Sequence, residues 1–184
     1  RDKSKPFYLN YWQFSVHAPF GAKPELIAKY RKKLGSSVIP QTRSAVKNRL
    51  LSSHEPLTNL PQQSPTYAAM VHSLDDAVGS LLDKLDSEGL TQDTIIIFYS
   101  DNGGNIHCGL EEIAINGDTY ITPITSNHPL RGGKGSIYEG GIRVPAVIAW
   151  PGVTQPGTMS NVRIQSTDLY PTILKMLSVD RPTD

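Results

Sequence analysis

The unbroken apolar run at residues 94–99, Thr-Ile-Ile-Ile-Phe-Tyr, constrains the fold of this chain more than any other segment. A run rich in β-branched and aromatic residues, with no polar alternation, predicts a short strand buried on both faces. A second run of this kind, Ala-Val-Ile-Ala-Trp at residues 146–150, ends at Pro151. A third, aromatic run at residues 7–14 is also typical of a buried strand.

Amphipathic helical patterns alternate with these runs. The clearest begins after Ser64, a favoured N-cap residue followed by proline, and ends at Gly89. Its apolar positions recur at three- and four-residue steps: Tyr67, Met70, Val71, Leu74, Val78, Leu81, Leu82 and Leu85. A shorter pattern begins at Pro24 and is predicted to end at Gly35. Another lies near Leu169 and is predicted to carry Pro171 in its first turn.

Strands between amphipathic helices predict an α/β fold with a mostly parallel sheet flanked by helices. Residues 36–60 lack any periodicity and are predicted to form a loop or an irregular excursion. The 184 residues fit one domain.

Composition excludes several function classes. Eighteen Lys and Arg residues against seventeen Asp and Glu give a net charge of +1, which argues against a nucleic-acid partner. Cys108 is the single cysteine, so the chain has no intrachain disulfide and no cysteine-rich metal site. No apolar run approaches the roughly 20 residues of a membrane span.

The residues after the 94–99 run form a candidate metal site. Asp101 and Asn102 follow this strand directly, and ligands of open α/β sheets bind beyond the carboxyl ends of strands. Carboxylate and amide oxygens suit Ca²⁺ or Mg²⁺. The alternative is a simple turn, because Asp, Asn and Gly also dominate turns for local reasons.

Lys134 lies in a glycine-rich segment, Arg-Gly-Gly-Lys-Gly, at residues 131–135. The P-loop spacing fails here, because His128 and Gly135 occupy the positions of the motif's first glycine and its Ser or Thr. A lysine on a flexible loop remains a good point charge for an oxyanion. The alternative is an ordinary solvent-exposed loop lysine.

Among the five histidines, His17 has the strongest claim to a functional role. It comes just after the aromatic run at residues 7–14, which would place it at the same sheet edge as Asp101. His107 and His128 flank the region between the two motifs and could line a pocket without reacting. A structural or surface role is the ordinary alternative for each histidine.

In combination, these motifs resemble the sulfatase family of the alkaline phosphatase-like superfamily. Five segments carry the resemblance, in the family's order and spacing: His-Ala-Pro at 17–19, residues 67–90, Ile-Phe-Tyr-Ser-Asp-Asn-Gly at 97–103, residues 130–145, and Asp-Leu-Tyr-Pro-Thr at 168–172. The most specific is the run from Lys134 to Pro145, Lys-Gly-x-x-Tyr-Glu-Gly-Gly-x-Arg-x-Pro.

The resemblance implies a sulfuric ester hydrolase whose nucleophile is a formylglycine and whose metal is a divalent cation, usually Ca²⁺. It makes Asp101 and Asn102 two of the metal ligands. Lys134 would contact the sulfate and help neutralise the leaving oxygen, and His17 would bind sulfate and protonate the departing alkoxide. The expected partner is a sulfated small molecule or glycan, with a carbohydrate ester expected from the breadth of the family. Family members of this kind are periplasmic, secreted or lysosomal.

The chain departs from the family pattern in one important respect. Formylglycine is made from Cys or Ser in a Cys/Ser-x-Pro-Ser/Ala-Arg motif, which does not occur in these residues. The paired metal-binding aspartates of the family's N-terminal half are missing as well. Residues 1–184 are therefore expected to be part of a sulfatase catalytic domain that needs the remainder of the chain, with no turnover alone and weak Ca²⁺ binding.

Two other functions fit the same observations. A phosphodiesterase or phosphomutase of the superfamily would share the sheet, but typically uses a Thr or Ser nucleophile and two metals. A non-catalytic glycan-binding relative would explain the missing nucleophile. The pairing of Asp101 and Asn102 with the Lys134 run favours the sulfatase.

Overall fold

Helices lie where the amphipathic patterns predict them. The computed structural model describes residues 4–39, 62–180 and 182. Its helices are α1 (Pro24–Leu34), α2 (Pro65–Ser87), the short α3 (Glu139–Ile142) and α4 (Ser166–Met176), and a 3₁₀ turn spans Thr91–Asp93. The chain divides into two units, Arg1–Pro151 and Gly152–Asp184, and only α4 belongs to the second. None of the helices in the described ranges is long and apolar enough to cross a membrane.

The ends of α1 and α2 confirm the predicted start and stop signals. The hydroxyl of Ser64 accepts a hydrogen bond from the Tyr67 N–H at 3.0 Å and so caps the N-terminus of α2. Gly35 and Gly89 follow α1 and α2 with φ of +68° each, a conformation that glycine adopts without steric cost. The N–H of Gly35 donates to the carbonyl of Arg31 at 3.1 Å, which satisfies an orphan carbonyl of the last turn.

Helix α4, in the second unit, corrects one prediction. It begins at Ser166, so Pro171 lies inside the helix and not in its first turn. The helix start is set instead by Asp168, whose carboxylate accepts a hydrogen bond from the Gln165 N–H at 2.8 Å. A capping interaction of this kind outweighs the preference of proline for the first helical position.

The described residues contain four strands, β1 (Ile96–Tyr99), β2 (Gly109–Ile113), β3 (Thr119–Pro123) and β4 (Ala146–Ala149). They form two two-stranded sheets, β1 with β4 and β2 with β3. Both pairs are antiparallel, so the α/β class stands but the parallel pairing predicted for the described strands is wrong. The reason is that apolar composition predicts burial and does not encode the direction in which strands pair.

Two other predictions about strands are wrong. Residues 7–14 form no strand, and their side chains are exposed, with Trp12 86% and Tyr8 76% accessible. A strand needs a partner for its backbone groups, and none of the described strands pairs with this segment. In β1 and β4 themselves, Phe98 and Val147 are 40% and 59% exposed, because each strand has only one neighbour.

Residues 109–128, which lie between the two motifs, contain the β2–β3 hairpin. Its turn is closed by the Ala114 N–H, which donates to Asp118 O at 2.8 Å, and Gly117 adopts φ of +91°. The irregular excursion predicted at residues 36–60 falls mostly on residues 40–61, which lie outside the described residues.

The buried apolar residues of the first unit come from α2, from β3 and from the segments that flank the hairpin. They are Ala69, Met70, Ile106, Tyr120 and Ile124. Burial, followed by the negative charge of Glu112, raises the pKa of Tyr120 to about 12. The Tyr120 hydroxyl donates to Gln63 O at 2.7 Å, directly before the helix.

Glu112 of β2 ties the hairpin to the N-terminus of α2. Its carboxylate accepts hydrogen bonds from the Ser64 hydroxyl at 2.5 Å, the Thr66 N–H at 3.0 Å and the Thr66 hydroxyl at 2.9 Å. The side chain is 3% exposed. A carboxylate at a helix N-terminus also interacts favourably with the helix dipole. These hydrogen bonds therefore hold the hairpin against the first turn of α2.

Candidate active site

The antiparallel pairing of β1 and β4 brings the two sequence motifs together. Tyr99, the last residue of β1, pairs with Ala146, the first residue of β4. The loop that follows β1 and the loop that precedes β4 therefore leave the sheet at the same edge. We call residues 100–104 the Asp101 loop and residues 130–142 the Lys134 loop.

Backbone hydrogen bonds join the two loops directly. The N–H of Gly103 donates to Gly141 O at 2.9 Å, and the N–H of Lys134 donates to Gly104 O at 3.0 Å. A Cβ atom on Gly103 would lie 1.7 Å from Gly140 O, and one on Gly133 would lie 2.5 Å from Gly104 O. Only glycine permits this approach, so Gly103 and Gly133 serve loop-to-loop packing.

Asn127 is a third link, which the sequence reasoning missed. Its side-chain oxygen accepts from the Gly104 N–H at 2.9 Å, and its amide nitrogen donates to Gly104 O and Gly132 O at 3.0 Å each. One side chain thus holds both loops. Its local sequence, Ser-Asn-His-Pro, is that of any turn asparagine, so no sequence signal distinguishes it.

The Asp101 loop bends at Asp101 and Asn102, and local hydrogen bonds hold both side chains. Asp101 is exposed and its Oδ1 accepts from the Asn102 N–H at 2.9 Å, while the Asn102 side-chain nitrogen donates to Gly103 O at 2.8 Å. Asp101 Oδ2 and Asn102 Oδ1 make no hydrogen bond with another described residue. Local turn bonding therefore leaves one oxygen of each side chain for a ligand.

These two oxygens fit a hard divalent cation by chemical type but not by number. Ca²⁺ takes six to eight oxygen ligands, and Mg²⁺ demands six in octahedral geometry. Within residues 4–39, 62–180 and 182, no group of three or more His, Cys, Asp or Glu residues is arranged to hold a metal. Asp101 and Asn102 can therefore supply part of a ligand set, and the other ligands must come from elsewhere.

Lys134 is held by its backbone at both sides. Its N–H is bonded to Gly104 O, and its carbonyl accepts a hydrogen bond from Nε2 of His107. Its side chain is half-buried, and Nζ forms no ion pair or hydrogen bond with another residue in the described part of the chain. An ammonium group without a partner among the described residues is available for an anion.

The rest of the Lys134 loop is braced by an aromatic contact. The guanidinium carbon of Arg131 lies 3.9 Å from the centroid of the Tyr138 ring, within the range of a cation–π interaction. The N–H of Gly140 donates to Arg131 O at 2.7 Å, which closes the loop on itself. The loop therefore has internal contacts as well as its links to the Asp101 loop.

His17 lies apart from this cluster in its contacts. Its N–H donates to Phe14 O at 3.0 Å, its Nδ1 lies 2.9 Å from Ala18 O, and its ring centroid lies 5.5 Å from that of Phe14. No contact joins it to the Asp101 loop or the Lys134 loop among the described residues. The strand that was expected to place it beside Asp101 is absent, so its role stays a prediction.

Comparison with known proteins identifies a family for the chain. The family model described as Sulfatase matches residues 1–179. The steryl-sulfatase of Rattus norvegicus is 37% identical over 118 residues, which cover 64% of this chain and 19% of that protein. A sulfatase of Formosa agariphila is 30% identical over 195 aligned positions, which cover 100% of this chain and 28% of that protein.

One solved structure supports the fold. The crystal structure of Ps i-CgsB in complex with k-i-k-neocarrahexaose matches with a TM-score of 0.54 at 24% identity, covering 86% of this chain and 33% of that one. At this identity the likeness concerns the fold alone. Together with the family match, it confirms the alkaline phosphatase-like α/β class. The chain spans less than a third of the length of the two curated relatives named above.

Proposed function

This chain belongs to the sulfatase family, and we propose that it contributes metal-binding and sulfate-binding residues to a sulfuric ester hydrolase. The proposed reaction is the hydrolysis of a sulfate ester to an alcohol and inorganic sulfate. Because the chain spans less than a third of its named relatives, the proposed activity is that of the complete protein.

The observation that carries this proposal is the bonding between the Asp101 loop and the Lys134 loop. Lys134 N–H to Gly104 O and Gly103 N–H to Gly141 O fix the two loops in one cluster. Hard oxygen ligands and a lysine without an ion-pair partner in the described chain are thereby held on a common support. A divalent cation and an adjacent ammonium group are a suitable pair for binding a sulfate group.

Asp101 and Asn102 would hold the divalent cation, for which we propose Ca²⁺. Both offer hard oxygens, the ligand type that Ca²⁺ prefers. When bound, the ion supplies positive charge that stabilises negative charge on the sulfate oxygens. The remaining ligands come from water or from sequence outside these 184 residues.

The nucleophile also lies outside these residues in this proposal. The Cys/Ser-x-Pro-Ser/Ala-Arg motif from which the family makes formylglycine does not occur in the chain, and Cys108 is followed by Gly109 and Leu110 instead. The chain's own residues act on the leaving side of the reaction. The expected partner of the chain is therefore the remainder of the sulfatase that supplies the attacking group.

Lys134 and His17 are the residues proposed to stabilise the leaving group. As the S–O bond breaks, negative charge accumulates on the bridging oxygen, and the ammonium group of Lys134 neutralises part of it. His17 donates a proton to the departing alkoxide, which lowers the barrier further. The exposed side chain of His17 is accessible to a substrate.

We propose a sulfated small molecule or glycan as the substrate, and we expect a carbohydrate ester. The relatives bear names that cover several alcohols, including steryl-sulfatase, arylsulfatase H and N-acetylgalactosamine-6-sulfatase. What they share is the sulfate ester, which is the group that the cluster of Lys134 and Asp101 is proposed to bind.

The test is kinetic and uses the complete protein. The complete protein should release 4-nitrophenol from 4-nitrophenyl sulfate and not from 4-nitrophenyl phosphate. Lys134→Ala should lower kcat/KM by roughly a hundredfold, because a preorganised positive charge is lost from the developing oxyanion. Asp101→Asn should raise the Ca²⁺ concentration needed for half-maximal activity by about tenfold or more. A Ca²⁺ titration after removal of metal with a chelator measures this concentration.

The controls are exposed residues of the same type on helices. Lys33→Ala on α1 and Asp83→Asn on α2 should leave kcat/KM and the Ca²⁺ requirement within about twofold of wild type. Preference for the phosphate ester would favour the phosphoester hydrolases of the superfamily. Binding of a sulfated glycan without turnover would favour a non-catalytic relative, and either result would overturn the proposal.

A further inference from the structure

The backbone around Lys134 has little stiffness of its own. Lys134 stands between Gly133 and Gly135, and Gly135 adopts φ of +84°. Glycines on both sides leave the chain free to rotate about the lysine, so the direction of its side chain must be set by tertiary contacts. Two such contacts exist, one on each peptide group of Lys134.

The first contact is the hydrogen bond from the Lys134 N–H to Gly104 O at 3.0 Å. The second is the hydrogen bond between the Lys134 carbonyl and Nε2 of His107. A carbonyl oxygen can only accept, so Nε2 carries the hydrogen and the imidazole is the donor. The N–H and the C=O of the lysine are therefore both held by residues 104–107.

His107 is itself firmly placed. Ile106 before it is 3% exposed, and the N–H of His107 donates to the Asn105 side-chain oxygen at 2.9 Å. Its Nδ1 is buried and has no hydrogen-bond partner in the described chain. The bond to Lys134 is thus the one hydrogen bond that the imidazole makes with a described residue, and no other polar contact there accounts for a histidine at this position.

We propose that His107 is a positioning residue for Lys134: it holds the Lys134 carbonyl and thereby aims the ammonium group at the sulfate. This inference rests on the proposed sulfate-binding role of Lys134. His107 touches neither substrate nor metal in the proposal. It acts through the backbone of the lysine, and its effect should therefore depend on the lysine being present.

The experiment measures inhibition of 4-nitrophenyl sulfate hydrolysis by inorganic sulfate in the complete protein. His107→Leu removes the donor and should raise the inhibition constant for sulfate and the KM about tenfold. His107→Gln places an amide N–H donor about as far from the backbone as Nε2, and should restore the inhibition constant and the KM to near wild type. His107→Asn is equally polar but too short, and should behave like His107→Leu.

A double-mutant cycle then separates positioning from general stability. In the Lys134→Ala background, His107→Leu should change the inhibition constant by less than about twofold, because the group that it positions is gone. His128→Leu, an exposed histidine of the same connection, is the matched control and should have no effect. The Ca²⁺ titration should be unchanged in all His107 variants.

Two results would overturn the inference while leaving the proposed function intact. One is equal inhibition constants for His107→Gln and His107→Asn. The other is a full, additive effect of His107→Leu in the Lys134→Ala background. If Lys134→Ala itself left sulfate inhibition unchanged, the sulfate-binding role of the lysine would fail, and the role of His107 with it. Should His107→Leu fail to fold, the comparison of Gln and Asn decides alone.

Discussion

At the scale of single residues, the glycines of the two motifs matter because of what lies against them. Gly103 faces Gly140 O so closely that no Cβ could be accommodated, whereas nothing lies within 4 Å of the Cβ position of Gly79 on α2. The same residue type therefore has opposite meanings at the two positions. The first glycine permits a contact, and the second only costs helix propensity.

Gly103→Ala should accordingly separate the two loops. The new Cβ would lie 1.7 Å from Gly140 O, so the hydrogen bond from Gly103 to Gly141 must break. We expect a loss of about 1–3 kcal/mol of unfolding free energy and a large loss of activity. Urea unfolding and the nitrophenyl sulfate assay measure the two effects.

Gly79→Ala is the control for this prediction. It lies inside α2 with open space beside it and should raise the unfolding free energy by about 0.5–1 kcal/mol without affecting activity. A Gly103→Ala protein with wild-type stability and activity would show that the close approach of the loops is not required.

At the scale of elements, the hairpin is anchored to the N-terminus of α2 through a single buried side chain, that of Glu112. Glu112 is a buried carboxylate with three donors, and all three belong to the first turn of the helix or its cap. Neither element shows this from its own sequence. Glu112 lies in the sequence Leu-Glu-Glu-Ile, in which nothing distinguishes it from the exposed Glu111 before it.

Glu112→Gln should destabilise the protein by roughly 2–3 kcal/mol, because an amide nitrogen would face hydroxyl and backbone donors that the carboxylate accepts. Asp83→Asn, an exposed acidic residue on α2, is the matched control and should cost less than about 0.5 kcal/mol. Chemical denaturation monitored by circular dichroism gives both values. Equal effects of the two substitutions would contradict the anchoring role of Glu112.

At the scale of the whole molecule, the exposed aromatic segment at residues 7–14 is the feature least suited to water. Its exposed large side chains are Phe7, Tyr8, Leu9, Tyr11, Trp12 and Phe14. An exposed apolar segment that belongs to none of the described strands favours association with another chain. Its sequence has the character of a buried strand, and its surroundings in the described chain do not bury it.

The 184-residue chain alone should therefore self-associate in a concentration-dependent manner. Trp12→Lys, which places a charge on the most exposed of these side chains, should shift the distribution toward monomer. Lys33→Ala on α1 is the control and should leave the distribution of monomer and oligomer unchanged. Sedimentation velocity over a range of concentrations makes the measurement, and a strictly monomeric wild-type chain would refute the expectation.

Much of the fold was predictable because it depends on local chemistry. Ser64 with Pro65, and the glycines at 35 and 89, mark helix ends through backbone geometry that neighbouring residues determine. The positions of β1 and β4 were predictable for the same reason, since composition favours extended backbone there. The prediction failed at residues 7–14, where a strand depends on a partner that local sequence cannot supply.

The sequence by itself determined the residue types of the candidate site, namely Asp101, Asn102, Lys134 and the glycines around them. Only the tertiary structure decided how they meet. The antiparallel pairing of β1 with β4 turns two distant loops toward each other, and the side chains of Asn127 and His107 then fix them. The chemistry of each residue follows from the sequence alone. The direction of strand pairing and the contacts that bridge the loops depend on segments far apart in the chain.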